Sequence, residues 1–446
     1  MARKKMKLRV PTETFTATVN ALSHDGRGVV ANPKHKTAFV SGALPGEEIT
    51  FKLTKLHAKY NEGEALKIIT SSPHRATPEC AHFGICGGCS MQHLTMTEQI
   101  LFKQQALLAQ LKHFGRVEPE IILPPLVGKN TGYRRKARLG VSYREKKGKL
   151  VIGFREKSSR FLAEIDKCPI LHESVSTLIP EMKTLIESLS QFENIPQIEI
   201  AIGDTQTALV FRHLTDLSNE DLLKLKHFAK LHQLELYLQP NSPAKTHKLW
   251  PEDNTERLSY RLDHYDLEML FHPLDFTQVN AEINNLMIKS ALELLDLKNT
   301  DNVLDLFCGL GNFTLPIARY AQHVTGIEGS EAMVDRAKEN ALHNNIANTD
   351  FYAANLAAIP ATLPVAAMKK YDKVLLDPPR TGAKEIINLI PKLAPKTIVY
   401  VSCNPATLAR DAGELVHKQG YKLKKIGVIN MFPHTSHIEA IALFTI

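Results

Sequence analysis

Over the first seventy residues apolar and polar positions alternate with a period of two. Phe15–Val19, Thr37–Val40, Glu48–Leu53 and Glu64–Ile69 read as short strands, with turns at Asp25-Gly-Arg-Gly28 and Leu44-Pro-Gly-Glu47. About five short strands in that length predict a small closed barrel. Ser72–Pro78 is a linker. A capping box, Thr95-Met-Thr-Glu98, then opens a helix to about Phe114, with Ile100, Leu101, Leu107, Leu108, Leu111 and Phe114 at helical spacing. Strands are predicted at Lys136–Tyr143, Leu150–Phe154, Gln197–Ile202, Thr207–His213 and Leu234–Leu238, and a helix over Asn219–Leu231. Beyond about Asp263 strand and helix patterns alternate to the end, the signature of a doubly wound parallel sheet.

This pattern predicts an α/β chain in three parts. An OB-like barrel comes first, over 1–72, then a middle α+β domain, and from about 263 to 446 a Rossmann-like domain. A chain of 446 residues exceeds one typical core, as this division requires. The formal charge of +8 changes the picture only through its placement. Lys52, Lys55, Lys59 and Lys67, with His57 and Tyr60, give the barrel the cations and aromatics of a single-strand nucleic-acid module; a solvated structural barrel is the alternative. No stretch approaches the ~18 apolar residues of a membrane helix, and the basic start Met1–Arg9 lacks the apolar segment of a secretion signal. A cytoplasmic protein is expected, in which six cysteines serve as ligands, nucleophiles or core fillers.

Asn302–Phe307 reads as a strand buried on both faces, leading into Cys308-Gly-Leu-Gly-Asn312. Glu328 ends the next strand 19 residues after Gly309, the offset at which an acid receives ribose hydroxyls. Ser330 is placed to cap the following helix. The third glycine of the dinucleotide fingerprint is missing, so S-adenosylmethionine, a sulfonium cation without phosphate, is preferred over a dinucleotide. Asp377-Pro-Pro379 ends a later strand in the same crevice. Amino-group methyltransferases carry an aromatic after such a loop; here Arg380 stands there.

Cys403, in Ser402-Cys-Asn-Pro405, follows the apolar strand Thr397–Val401 and sits where ligands of such sheets bind. A thiol nucleophile beside a methyl donor points to methylation of an unreactive carbon such as uracil C5. That reaction needs an activated cysteine and a base. Cys308 is the competing thiol, read as a space filler. For the base, His437 and Glu439 are both expected on one strand face, with Glu439 favoured. Cys80, Cys86 and Cys89, with the distant Cys168-Pro169, form a three-plus-one set that favours a [4Fe-4S] cluster over structural zinc.

Together, Phe276-Thr-Gln-Val-Asn280, Asp305–Phe313, Asp377–Arg380, Ser402–Pro405 and Thr435–Glu439 resemble the RNA uracil-C5 methyltransferases over nearly the whole chain. The barrel resembles a TRAM domain, and the family's discontinuous middle domain implies that this domain takes 73–94 and 126–262 while 95–125 joins 263–446 in the Rossmann-like domain. Barrel and cysteine set together resemble the branch that acts on bacterial 23S rRNA; the tRNA branch lacks both. The resemblance implies Cys403 as nucleophile and Glu439 as base. It implies Gln278, Phe307, Asn312, Glu328, Asn355 and Asp377 as contacts of S-adenosylmethionine, and Cys80, Cys86, Cys89 and Cys168 as [4Fe-4S] ligands. RNA is the implied partner, met in part by Tyr133-Arg-Arg-Lys-Ala-Arg138. A different target uridine, or a non-catalytic RNA assembly factor, remains the alternative.

Overall fold

A computed structural model describes residues 10–31, 36–253, 255–358 and 364–446; the basic start Met1–Arg9 lies outside them. The chain divides into two compact units. One runs to Lys103 and takes in Phe432–His437; the other holds Gln104–Met431 and Ile438–Ile446.

The first unit carries a six-stranded sheet in the order Thr14–Thr18, Glu48–Leu56, Asn61–Thr70, Ala38–Ser41, Gly28–Val30, Ala21–Leu22. The alternation works as expected: Val30, Ala38, Val40, Ile49 and Phe51 point into one apolar cluster while their neighbours face out. The carboxylate of Glu47 is a buried hub. It accepts from Leu44 N at 2.8 Å, Ser72 N at 3.2 Å and Arg75 Nε at 2.5 Å, tying a turn of the sheet to the linker. Burial alone would raise its pKa, but the Arg75 guanidinium and these amides hold it below the ordinary value.

In the second unit a mixed six-stranded sheet runs His247–Trp250, Glu235–Pro240, Thr207–His213, Gln197–Ile202, Lys136–Arg144, Lys149–Gly153. The helix Asn219–Leu231 starts on a full capping box between Ser218 and Asp221. A separate hairpin joins Leu258–Leu262 to Leu267–Phe271.

The last sheet of this unit has eight strands: Thr349–Ala353, His323–Glu328, Asn302–Leu306, Lys373–Leu376, Thr397–Ser402, Glu439–Thr445, Lys422–Ile429 and Ile121–Ile122. The first five are parallel, and chain order reverses between Asn302–Leu306 and Lys373–Leu376. The expectation of an all-parallel sheet fails at Glu439–Thr445, which is antiparallel to both neighbours. Its residues are buried on both faces, so their pattern carries no sign of direction. The helix Met96–Gln110 ends in a π-turn, Leu111–Gly115, and Leu107 and Leu111 join the core of this sheet.

Replacing Glu47 with Gln should strand Arg75 and destabilise the first unit by about 3 kcal/mol at neutral pH. Hydrogen exchange of the Glu48–Leu56 amides measures this. Because the folded pKa is depressed, the stabilisation is complete above the ordinary carboxylate value of 4.5 and is lost as pH falls through the lower folded value.

Candidate active site

The strand order sets the site. At the reversal point the loops after Asn302–Leu306 and Lys373–Leu376 diverge and leave a crevice at the carboxyl ends of the strands. Phe307 turns the first loop with φ of 66°, a conformation bulky residues rarely hold. Two amides fix it there: Phe307 N and Cys308 N both donate to Ile327 O, at 2.8 and 3.1 Å. Gly309 follows with φ of 54°, and a side chain there would meet nothing within 4 Å, so the turn faces open space.

Glu328 closes this turn. Its carboxylate accepts from Gly309 N at 3.1 Å, Gly329 N at 2.7 Å and Ser330 N at 3.1 Å. The expectation that the Ser330 side chain caps the next helix is therefore corrected: Ser330 occupies the cap position, makes no side-chain cap bond, and offers its amide to Glu328. Asp305 lies fully buried beneath. Its Oδ2 accepts from Thr314 Oγ1 at 2.5 Å, and its Oδ1 has no hydrogen bond among the described residues. Burial raises its pKa to about 7; Asp377 and Glu328 push it the same way and the Thr314 hydroxyl opposes them. Burial alone carries Asp377 up to about 7. Three carboxylates with little positive compensation make a site that fits a small cation.

The other residues expected around a methyl donor are less uniform. Gln278 is half-buried just before the helix Ala281–Leu295. Asn312 is held by protein: its Oδ1 accepts from Tyr260 Oη at 2.8 Å and Asn284 Nδ2 at 3.0 Å, and its Nδ2 donates to Asn284 Oδ1 at 2.8 Å. Tyr260 and Asn284 belong to no motif of the sequence. Asn355 is exposed and folds its side chain back onto Ala357 N at 3.0 Å.

Cys403 stands one residue beyond the strand Thr397–Ser402, half-buried, and Asn404 caps the helix Pro405–Gln419 that follows. Ser402 pairs with Ala440 as the last step of the antiparallel ladder, and Cys403 and Glu439 are the residues next to that pair along the chain. The Glu439 side chain is buried. The thiol is pushed up to about 11, first by burial, then by the charges of Glu439 and Asp377, with Arg380 opposing. Glu439 and Asp377 thus each lie within electrostatic reach of Cys403. His437 does not share a strand face with Glu439, because the strand begins at Glu439; His437 is exposed, with its ring 5.6 Å from Phe432. Cys308 is buried, and burial drives its thiol far above the ordinary value.

Asp411 locks the helix after Cys403 to the loop after Asp377. It accepts from Ala383 N and Tyr400 Oη, both at 2.8 Å, and pairs with Arg410, which donates to Thr381 O at 3.0 Å. Asn404 Nδ2 reaches Arg380 O at 2.9 Å. An acid between Leu408 and Leu415 on the apolar stripe is the sequence signal for this fixture. On its other side the same helix meets the π-turn backbone to backbone, where Gly115 and Gly413 leave no room for a Cβ.

The cysteine knuckle belongs to the first unit. Cys86 N donates to His82 O, Cys80 N to Gln92 Oε1, and Gly88 N to the Cys86 sulfur at 3.4 Å. Cys168 is buried in the second unit, bracketed by Ser176 Oγ, which accepts from its amide and donates to its carbonyl. The six cysteines form no disulfide, and among the described residues no three His, Cys, Asp or Glu are grouped to hold a metal.

No described helix is long and apolar enough to cross a membrane. Residues 95–445 match the family model described as tRNA (Uracil-5-)-methyltransferase, and residues 9–66 match the TRAM domain. A protein of Hahella chejuensis named 23S rRNA (uracil(1939)-C(5))-methyltransferase is 52% identical, with 100% of this chain and 99% of that protein covered. One of the same name from Alcanivorax borkumensis is 49% identical with the same coverage. The crystal structure of Pyrococcus abyssi tRNA (uracil-54, C5)-methyltransferase with S-adenosyl-L-homocysteine is 25% identical, with a TM-score of 0.73 over 96% of this chain and 99% of that one, a coverage that extends into the barrel and corrects the expectation that tRNA enzymes lack it. With this architecture, a crevice suited to a cationic donor and matches along its whole length, the chain belongs to the RNA uracil-C5 methyltransferase family.

Proposed function

We propose that the protein methylates C5 of uracil in 23S rRNA, at the uridine equivalent to 1939, with Cys403 as nucleophile and Glu439 as base. The observation that supports the roles is the pairing of Ser402 with Ala440, next to Cys403 and Glu439, together with the charge of Glu439 acting on the Cys403 thiol. Uracil C5 is too weak a nucleophile to take a methyl group unaided. The Cys403 sulfur adds to C6, and the electron pair displaced onto the ring makes C5 carbanion-like. When bound, S-adenosylmethionine supplies an electrophilic methyl on a sulfonium. Glu439 then removes the C5 proton, and the carbon–sulfur bond breaks to release Cys403.

The residues proposed to hold the donor are Gln278, Phe307, Asn312, Glu328, Asn355 and Asp377. The support is the orphaned Asp305 oxygen, the raised pKa of Asp305 and Asp377, and the open turn at Gly309. Asn312 serves through its lock on Asn284 and Tyr260, and Phe307 through its fixed backbone. Burial first, and after it the charges of Glu439 and Asp377, keep Cys403 protonated in the free protein. Placing positive charge in the crevice lowers the cost of forming the thiolate, so activation follows donor binding.

A [4Fe-4S] cluster ligated by Cys80, Cys86, Cys89 and Cys168 is proposed as a structural element, since no step above needs electron transfer. The donor set fits soft metal ions. Burial raises the Cys86 thiol, and the neighbouring Cys80 raises it further, a penalty that a bound metal removes. Gly88 N–H already points at the Cys86 sulfur, as cluster-binding loops direct amides to sulfur.

Cys403→Ala should bind RNA and donor but transfer no methyl, and Glu439→Gln should accumulate a denaturation-resistant RNA–protein adduct. Undiminished turnover in the first, or no adduct in the second, removes the assigned role. Glu439→Gln should also speed iodoacetamide labelling of Cys403 at pH 8, because it deletes a charge that raises the thiol.

Donor affinity, measured by calorimetry, should fall as pH drops from 8 to 6, because Asp305 and Asp377 gain protons near 7 and their charge is lost. Anaerobically purified protein should be brown and contain iron and sulfide; a colourless protein with one zinc would replace the cluster.

A further inference from the structure

The mixed sheet of the second unit bears a cleft of about 990 Å³ that the proposed chemistry leaves unused. The strands Lys136–Arg144 and Lys149–Gly153 pair through two glycines, Gly140 opposite Gly153. A Cβ on Gly140 would strike the Leu162 side chain at 2.7 Å, and one on Gly153 the Ala163 carbonyl at 1.9 Å. Their absence lets the segment 154–163 lie flat on the sheet and wall the cleft. At its tip Phe161 is 55% exposed, although a large aromatic ring gains by burial.

The ring is held in a cationic setting. Arg144 donates to Leu162 O at 2.5 Å with its guanidinium 5.9 Å from the ring centroid; Arg160 is 5.7 Å from the same centroid. The cleft is lined by six cations, Arg138, Arg144, Lys146, Lys147, Arg155 and Arg160, against the two acids Glu145 and Glu156. Arg138 is paired with Glu199, so five cations stand against Glu145 and Glu156 and the cleft keeps a net positive charge. An exposed aromatic platform among cations is the combination that binds unpaired bases by stacking and their phosphates by charge.

We infer that this cleft is a second RNA site, in which a single-stranded segment flanking the target uridine stacks one base on Phe161 and sets its phosphates against Lys146, Lys147, Arg155 and Arg160. The inference rests on the proposed RNA substrate and adds a subsite apart from the reacting atoms.

The test measures binding of full-length protein to an rRNA fragment carrying the target uridine and its flanks, by fluorescence anisotropy over a salt series. Phe161→Leu keeps apolar bulk but cannot stack, and should weaken binding roughly 5- to 100-fold; Phe161→Trp should restore it. The salt slope should be unchanged in Phe161→Leu. In Lys146→Ser with Lys147→Ser it should fall by about 0.7 for each phosphate no longer neutralised. On RNA trimmed to the target loop, Phe161→Leu and the parent should bind alike. Equal affinity for the full fragment, an unchanged slope in the lysine variant, or a deficit that persists on trimmed RNA overturns the subsite. If the parent methylates no RNA at all, the functional reading fails while these affinity differences still stand, so the two failures are distinguishable.

Discussion

The antiparallel pairing of Glu439–Thr445 with Thr397–Ser402 is the constraint on which the site depends. Parallel strands present only their carboxyl ends to the crevice; a reversed strand presents its amino end there. A residue at the start of the last strand and one just past the end of its neighbour therefore meet at one edge, and these are Glu439 and Cys403. A slip of one residue would bring an alanine or isoleucine against the thiol and turn every side chain of the strand over. The register is secured by burial on both sides: Tyr400, Ala442 and Phe444 lie in one apolar cluster, and Lys422–Ile429 pairs along the other edge.

Around that edge the charges are arranged against folding and in favour of binding. Asp305 and Glu439 are buried, half-buried Asp377 raises the pKa of Asp305, and the Cys403 thiol is pushed up to about 11 by burial and then by the charges of Glu439 and Asp377. Glu328 escapes this strain because three backbone amides take its charge, which fixes the glycine turn in return. Asp305 has one hydroxyl donor and, among the described residues, an oxygen with none. An acid buried with so little compensation destabilises the free protein, and it persists where a ligand of opposite charge offsets that cost on binding.

Much of this is legible in the residues. Period-two alternation locates the first sheet, and the strands Gln197–Ile202 and Thr207–His213 and the helix Asn219–Leu231 have the bounds their patterns predict. The crevice residues follow from one glycine turn and an acid at a fixed offset. Strand direction is not legible, because Ala440–Phe444 is apolar on both faces and reads the same either way. A spacing of two residues suggests that His437 shares a strand with Glu439, but the chain leaves extended pairing before Glu439. Ser330 has the composition of a cap and the right position, yet its backbone carbonyl and not its hydroxyl takes the Met333 amide, at 3.1 Å, while its own amide goes to the Glu328 carboxylate. Tyr260 and Asn284 are invisible because their role lies in a tertiary contact with Asn312, more than two dozen residues away in each case.

The network around Asp411 bears on how a substrate is selected. Asp411, Arg410 and Asn404 bind the helix after Cys403 to the backbone of Arg380, Thr381 and Ala383, and Gly115 packs that helix from behind. Thiol and crevice loop are thus one rigid piece, preorganised before any ligand arrives. A rigid reacting edge can distinguish uracil from other bases but not one uridine of an RNA from the next. Selection among uridines must come from contacts outside it, on surfaces rich in cations and aromatic rings. The Phe161 cleft and the TRAM domain carry such surfaces, and under the proposed chemistry a base delivered to Cys403 is chosen by what its flanking nucleotides hold on to.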